Sequence, residues 1–239
     1  MRILNLTLPT PEENLACDEA LLDAAEEDGS GEVLRFWEPA QRFVVVGYAN
    51  RVATEVNVEF CERHQVPILR RCSGGGTVLQ GPGCLNYCLI LRVGEAGPLR
   101  GISSTNEFIL KRHQAALAAL LGVSVEIRGH TDLAIEGVKF SGNAQRRKRG
   151  FLLFHGSFLL DMDIDFIQDA LPMPSKAPQY RVDRPHVQFL MNLKVPPAIV
   201  RTTLANAWSV TEPIEEVPYS RIETLTVGKY QNRGWNCRF

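Results

Sequence analysis

The sequence predicts an α+β fold in which a central mixed β-sheet is flanked by helices. Three observations lead there. Strand-like runs and helix-period stretches are interleaved without the regular β-α-β alternation of a doubly wound fold. The chain is 45% apolar, enough for a substantial core. Its 239 residues suit one domain spanning residues 1–239.

Thr10, Pro11 and Glu13 form a helix start, a capping box with proline at the first helical position, and this helix should run to about Gly29. Leu34 and Phe36 alternating with polar Arg35, then the run Phe43-Val44-Val45-Val46-Gly47, predict strands. A short helix over residues 58–64 leads to Pro67. Ile68-Leu69-Arg70 enters a glycine turn, after which Thr77-Val78-Leu79 and residues 85–91 resume strand patterning around Gly81-Pro82-Gly83. Over residues 104–121, Ile109, Ala116 and Leu120 recur at helical spacing, with Gly122 as the cap. Leu133-Ala134-Ile135 and Val138-Lys139-Phe140 flank Glu136-Gly137 as hairpin arms, and Phe151 opens another strand. Pro172, Pro174 and Pro178 mark a surface loop. Two tail helices follow, one from Pro196-Pro197 to about Trp208 and one near residues 219–230.

A net charge of −1 gives no global attraction to nucleic acid or anionic membrane. No apolar stretch approaches the roughly 20 residues that span a bilayer. Met1-Arg2-Ile3-Leu4-Asn5 turns polar too early for a signal peptide, so a cytoplasmic protein is expected. None of the six cysteines forms a C-x-x-C pair, and reduced, mostly buried thiols are expected.

Ser73-Gly74-Gly75-Gly76 follows Arg70 and Arg71, so open backbone N–H groups and positive charge meet where a phosphate or carboxylate could sit. No Gly-Lys-Ser/Thr follows, which excludes a P-loop; a turn that merely reverses the chain is the alternative. Lys139 lies in a strand, where most lysines face water. Pointed into a cleft, its ammonium could hold a developing carboxylate, acyl-phosphate or leaving phosphate. Ser141-Gly142-Asn143 reads as a second small-residue turn, and His155-Gly156-Ser157 as a third at the end of the next strand.

Taken in order, Arg70-Arg71-Cys72-Ser73-Gly74-Gly75-Gly76-Thr77, then Asp132, then Gly137-Val138-Lys139-Phe140-Ser141-Gly142-Asn143-Ala144-Gln145, then His155-Gly156 resemble the lipoate–protein ligase A family. Lesser similarity runs from residues 14–22 through Pro174-Ser175-Lys176 to Lys229-Tyr230 and Trp235-Asn236, so it covers essentially the whole chain. The resemblance implies the fold shared with biotin–protein ligases and lipoyl or octanoyl transferases. It also implies an ATP-dependent enzyme that forms lipoyl-AMP and passes the lipoyl group to a lysine of a lipoyl-carrier protein domain. On this resemblance Lys139 is catalytic, holding the carboxyl and then the activated carbonyl. Arg70, Arg71, Ser73, Gly74, Gly75, Gly76 and Thr77 would line the acyl and phosphate pocket with Asn86, Ser141 and Gly142, and His155 and Gly156 would complete its wall. Asp132 would lie near a phosphate-bound Mg2+ as its protein ligand. ATP, Mg2+ and lipoate are the expected cofactors and substrate. The ligases commonly carry a C-terminal accessory domain for which this chain has no room, so a separate accessory subunit is a further expected partner.

The chain departs from the pattern at Gln80-Gly81-Pro82-Gly83, where ligases usually have a His-Asp pair; this stretch is more like the His-Gly-Pro-Gly of octanoyltransferases. Those transferases resolve transfer through a cysteine thioester. His130-Thr131-Asp132 and Leu171-Pro172-Met173-Pro174-Ser175 occupy the two regions where that cysteine stands in the two transferase groups. Cys72 and Cys84 are the thiols nearest the glycine loop in sequence, and buried filler is their expected role. Adenylation is therefore favoured over a lipoyl or octanoyl transferase drawing on an acyl-carrier donor; a non-catalytic acyl- or carrier-binding module that kept the pocket but lost turnover is the third reading. Gln145-Arg146-Arg147-Lys148-Arg149-Gly150 reads as a basic turn after the lysine strand, either a solvated face or a site for an acidic carrier domain or ATP phosphates. With no interleaved aromatics, nucleic acid is not an expected partner.

Overall fold

The computed structural model describes residues 1–239. The chain opens with β1 (Arg2–Asn5) and α1 (Pro11–Asp28). The capping box forms as its residues dictate: Glu13 N–H donates to the Thr10 hydroxyl and the Glu13 carboxylate accepts from Thr10 N–H. Gly29 ends the helix at φ 70°, a left-handed conformation that suits glycine. Then come β2 (Val33–Trp37), β3 (Phe43–Val46), α2 (Val52–Glu55), α3 (Val58–Arg63), β4 (Ile68–Arg70), β5 (Val78–Gln80) and β6 (Cys84–Arg92). After α4 (Ile102–Leu121) the chain forms β7 (Glu126–Arg128), β8 (Asp132–Ile135), β9 (Val138–Arg147) and β10 (Phe151–Leu159). The remainder holds α5 (Ile164–Ala170), α6 (His186–Phe189), α7 (Pro197–Ala207), β11 (Glu212–Pro213), α8 (Tyr219–Leu225) and α9 (Arg233–Asn236).

Eight strands make one mixed sheet in the order β11-β1-β2-β6-β10-β9-β8-β7, and β4-β3-β5 make a second, three-stranded sheet. The large sheet is covered on both faces, which is why β6 is apolar except for Asn86 and its terminal Arg92. Alternate residues serve alternate faces: Cys88 and Ile90 pack against Leu15, Ala20 and Leu21 of α1, while Leu89 and Leu91 join Ile109, Leu117, Val200 and Leu204 from α4 and α7. The small sheet packs Val44, Val46 and Leu79 against Cys61 of α3 and Ile167 and Ala170 of α5. No helix is long and apolar enough to cross a membrane.

Three expectations are corrected. Ser141-Gly142-Asn143 and His155-Gly156-Ser157 are not turns: they sit inside β9 and β10 and pair with each other, Gly142 opposite Ser157 and Asn143 opposite Gly156. These glycines serve close approach instead, since a Cβ on Gly156 would lie 1.8 Å from Asn143 Oδ1. Arg35 is not the outward residue of an alternating strand but fully buried, because α1 covers that face. The basic run does not form one turn either. Gln145, Arg146 and Arg147 finish β9, Arg147 donates to the carbonyls of Leu99 and Arg100, and Lys148 pairs with Asp23 at 2.7 Å.

Candidate active site

A cavity of about 900 Å³ opens between the glycine loop, the α1-side face of β6, β10 and β9, and the proline-bearing segment that roofs it. A cross-strand row of paired residues forms its floor: Asp132 on β8, Gly142 on β9, Ser157 on β10, Asn86 on β6. Asn86 donates to the Gln80 side-chain carbonyl (3.0 Å), Gln80 donates to the Ser157 hydroxyl (3.3 Å), and Asn86 Oδ1 has no protein partner. Pro172, Pro174 and Pro178 lie in the expected surface loop, most of which is exposed, and its inner side lines this cavity; Ser175 N–H and O–H anchor the segment on the Glu55 carboxylate.

Lys139 reaches the cavity rather than bulk water. A β-bulge opposite Leu133 and Ala134 shifts the β8–β9 register just after it, leaving Phe140 unpaired. The lysine side chain crosses Gly142, where a Cβ would sit 2.8 Å from Nζ, and Nζ meets Asp132 Oδ1 at 2.7 Å. Tyr180 O–H donates to the other oxygen of Asp132 at 2.8 Å, and burial together with that carboxylate raises the phenol's pKa.

The glycine loop is built around Arg71. This buried guanidinium donates from Nε to Ser73 Oγ (3.0 Å) and from Nη2 to Gly74 O (2.5 Å) and Gly76 O (2.7 Å). Desolvation pushes its pKa down to about 10, so it remains cationic at neutral pH. The loop also needs bare backbone at Gly75, with φ +87°, and at Gly47, where a Cβ would lie 2.1 Å from Gly75 O.

Ser73 itself is fully buried beneath the cavity. Its Oγ lies 2.6 Å from His155 Nε2; His155 Nδ1 lies 3.3 Å from Asp18 Oδ2, and Asp18 Oδ1 lies 2.5 Å from Arg35 Nη1. Sequence reasoning missed Asp18, Arg35, Gln80 and Tyr180 as parts of this arrangement. One legible signal was Asn14 and Asp18, polar residues one helical turn apart among the apolar residues of α1.

Of the sequence-predicted residues, Arg71, Gly74, Gly75, Gly76, Thr77, Asn86, Asp132, Lys139, Ser141, Gly142, His155 and Gly156 line the one cavity. Arg70 does not. Its guanidinium is consumed by six backbone carbonyls, those of Gly47, Tyr48, Asn50, Trp235, Asn236 and Arg238, which makes it a brace behind the site. No cysteine lines the cavity. Five of the six thiols are buried, and desolvation pushes Cys72 and Cys84 up to about 12, far from the thiolate a thioester mechanism needs.

Residues 10–197 match the lipoyl protein ligase A/B catalytic domain. The chain belongs to that family. Its relatives include both ligases and transferases. Lipoate–protein ligase 1 of Staphylococcus aureus is 26% identical over 98% of this chain and 72% of its own length. Octanoyltransferase LipM of Bacillus subtilis is 31% identical over 73% of this chain and 70% of its own length. The fold agrees with a bipartite lipoate protein ligase of Thermoplasma acidophilum, solved in a study of that enzyme and its E2 lipoyl domain. That structure superposes with a TM-score of 0.84 at 23% identity, covering 99% of this chain and 95% of the other. The protein is thus an enzyme of the lipoate ligase and octanoyltransferase family, with the mixed sheet and flanking helices of a ligase catalytic domain.

Proposed function

We propose that residues 1–239 form one catalytic domain that acts as an ATP-dependent lipoate–protein ligase, activating lipoate as lipoyl-AMP and transferring the acyl group to a lysine of a lipoyl-carrier domain. The observation that carries this reading is a cavity holding a lysine and a glycine loop but no thiol. A carboxylate cannot acylate an amine until its oxygen becomes a good leaving group. Adenylation achieves this: a lipoate oxygen attacks the α-phosphorus of ATP, pyrophosphate leaves, and the carbonyl carbon is then attacked by the carrier amine, with loss of a proton and departure of AMP. Lys139 would balance the phosphate and carbonyl charge in both steps. The roof over residues 172–178 would keep water from the mixed anhydride.

Asp132 fits Mg2+ as a single protein carboxylate, because that ion is ordinarily held by one or two carboxylates with substrate phosphates and waters completing its shell. When bound there it would neutralise phosphate charge. Lys139 and Tyr180 already occupy one lone pair on each oxygen of Asp132, which orients the carboxylate toward the cavity. The Thermoplasma ligase's bipartite character supports a separate accessory subunit as partner. Lipoate-dependent exchange of pyrophosphate into ATP, with and without such a subunit, tests the reading; no exchange in either condition refutes it. Gln80-Gly81-Pro82-Gly83 and the LipM relative favour a second reading, transfer from an acylated carrier without ATP. Its signature is acyl transfer between carriers in the absence of nucleotide.

A further inference from the structure

The chain Arg35, Asp18, His155, Ser73, Arg71 runs from the buried side of α1 to the glycine loop, and its hydrogens can be assigned in one direction. Arg71 Nε–H donates to Ser73 Oγ at 3.0 Å. Ser73 is fully buried and Arg71 can only donate, so the one acceptor within reach of the serine hydrogen is His155 Nε2, 2.6 Å away. The ring hydrogen then sits on Nδ1 and faces Asp18 Oδ2 at 3.3 Å, while Arg35 holds the other oxygen of Asp18. These groups have the order of an acid–histidine–serine triad. Ser73 is not a nucleophile, however: it is fully buried, and its oxygen already accepts from Arg71.

The far end of the chain has a different consequence. Arg71 Nη2 binds the carbonyls of Gly74 and Gly76. In a trans peptide the C=O of one residue and the N–H of the next point in opposite directions. Holding these two carbonyls back therefore turns the N–H groups of Gly75 and Thr77 away from Arg71. Both residues line the cavity, and neither N–H has a protein acceptor.

We propose that Asp18 and Ser73 are positioning residues that act through His155 and Arg71 to aim the Gly75 and Thr77 amides at the anionic phosphate or carbonyl oxygen of an acyl-adenylate. This rests on the ligase reading for the identity of the ligand, but not for the existence of the relay. Asp18→Asn is the discriminating variant. Its one side-chain oxygen stays with Arg35, its NH2 turns to His155 Nδ1, and the ring hydrogen must move to Nε2. Ser73→Ala removes a single buried hydroxyl and leaves the Nδ1–H tautomer in place.

The test uses the full chain labelled with 15N-histidine, with the His155 tautomer read from two-bond 15N–1H correlations and calorimetric titration with a hydrolysis-resistant lipoyl-adenylate analogue. The expected result is the Nδ1–H form in the parent and in Ser73→Ala, the Nε2–H form in Asp18→Asn, and analogue binding about tenfold weaker in both variants. An unchanged tautomer in Asp18→Asn, or parental affinity in Ser73→Ala, overturns the relay. Should Asp18→Asn not fold, because Arg35 loses its charge partner, Ser73→Ala decides alone. Failure of the parent to bind the analogue would sink the ligase reading while the tautomers still judge the relay. Labelling of Ser73 by a fluorophosphonate would overturn the sealed-hydroxyl argument.

Discussion

Lys139 Nζ and Asp132 Oδ1 stand 2.7 Å apart across a β-bulge, with the lysine side chain still partly open to the cavity. The pair is formed before any ligand arrives, so the ammonium is held in place by the protein rather than recruited by the substrate. Lys139→Ala should lower acyl transfer by about 10²–10³-fold, the cost of removing one aimed charge from a water-poor site. Because the side chain is not part of the apolar core, the melting temperature should stay within a few degrees; activity near the parental level would exclude Lys139 from the reaction.

Gly156→Ala tests the packing of β10 against β9. The added methyl would sit 1.8 Å from Asn143 Oδ1 and 2.9 Å from Gly142 O, and strand backbone cannot yield as a surface side chain can. A loss of about 1–3 kcal/mol in urea unfolding is expected. An unchanged midpoint would show that the two strands separate more readily than their pairing suggests.

Two histidines make the fold acid-sensitive. Burial, aided by Arg112, pushes His113 down to about 3, and burial, aided by Arg181, pushes His186 down to about 4. Both values lie below the roughly 6.5 of an unfolded histidine. The unfolded chain therefore binds more protons below that pH, so the stability these groups contribute is full above about 6.5 and is lost as pH falls toward 4 and then 3. Chemical denaturation from pH 7 to 4 should show this slope. His113→Gln should flatten it by about one proton.

Cys72 and Cys84 carry no chemistry on the ligase reading. Desolvation holds both thiols near 12, and neither lines the cavity. Cys72→Ala and Cys84→Ala should keep pyrophosphate exchange within about threefold while costing some stability, as small buried groups do. Loss of all transfer in either variant, with the fold intact, would favour the thioester route.

The secure elements of the fold were legible where the local code is strong: the capping box at Thr10, the Gly122 cap, and the hairpin at Glu136-Gly137 all formed as read. The short strands β1, β7 and β11 were not, because 2–4 residues carry no periodicity of their own and exist through pairing with distant neighbours. Within the site, the ordered motif located nearly every cavity-lining residue that was named. It could not separate Arg70 from Arg71. Adjacent arginines share one composition signal, yet one braces the glycine loop from within and the other is spent on carbonyls behind it. Asp18 and Arg35 escaped because buried charge is visible only once α1 is seen to cover β2.

The carbonyl cage around Arg70 has a bearing on biogenesis. Through Arg70 it joins Gly47, Tyr48 and Asn50 to Asn236 and Arg238, the last of them 168 positions from the arginine in sequence. During synthesis the first half of the large sheet can pair as it emerges, but the shelf under the glycine loop must wait until residue 238 has cleared the ribosome. Contacts of such long range are slow to form. The glycine loop is accordingly braced only after β1 to β10 have all emerged, so those strands can pair before the loop has its support.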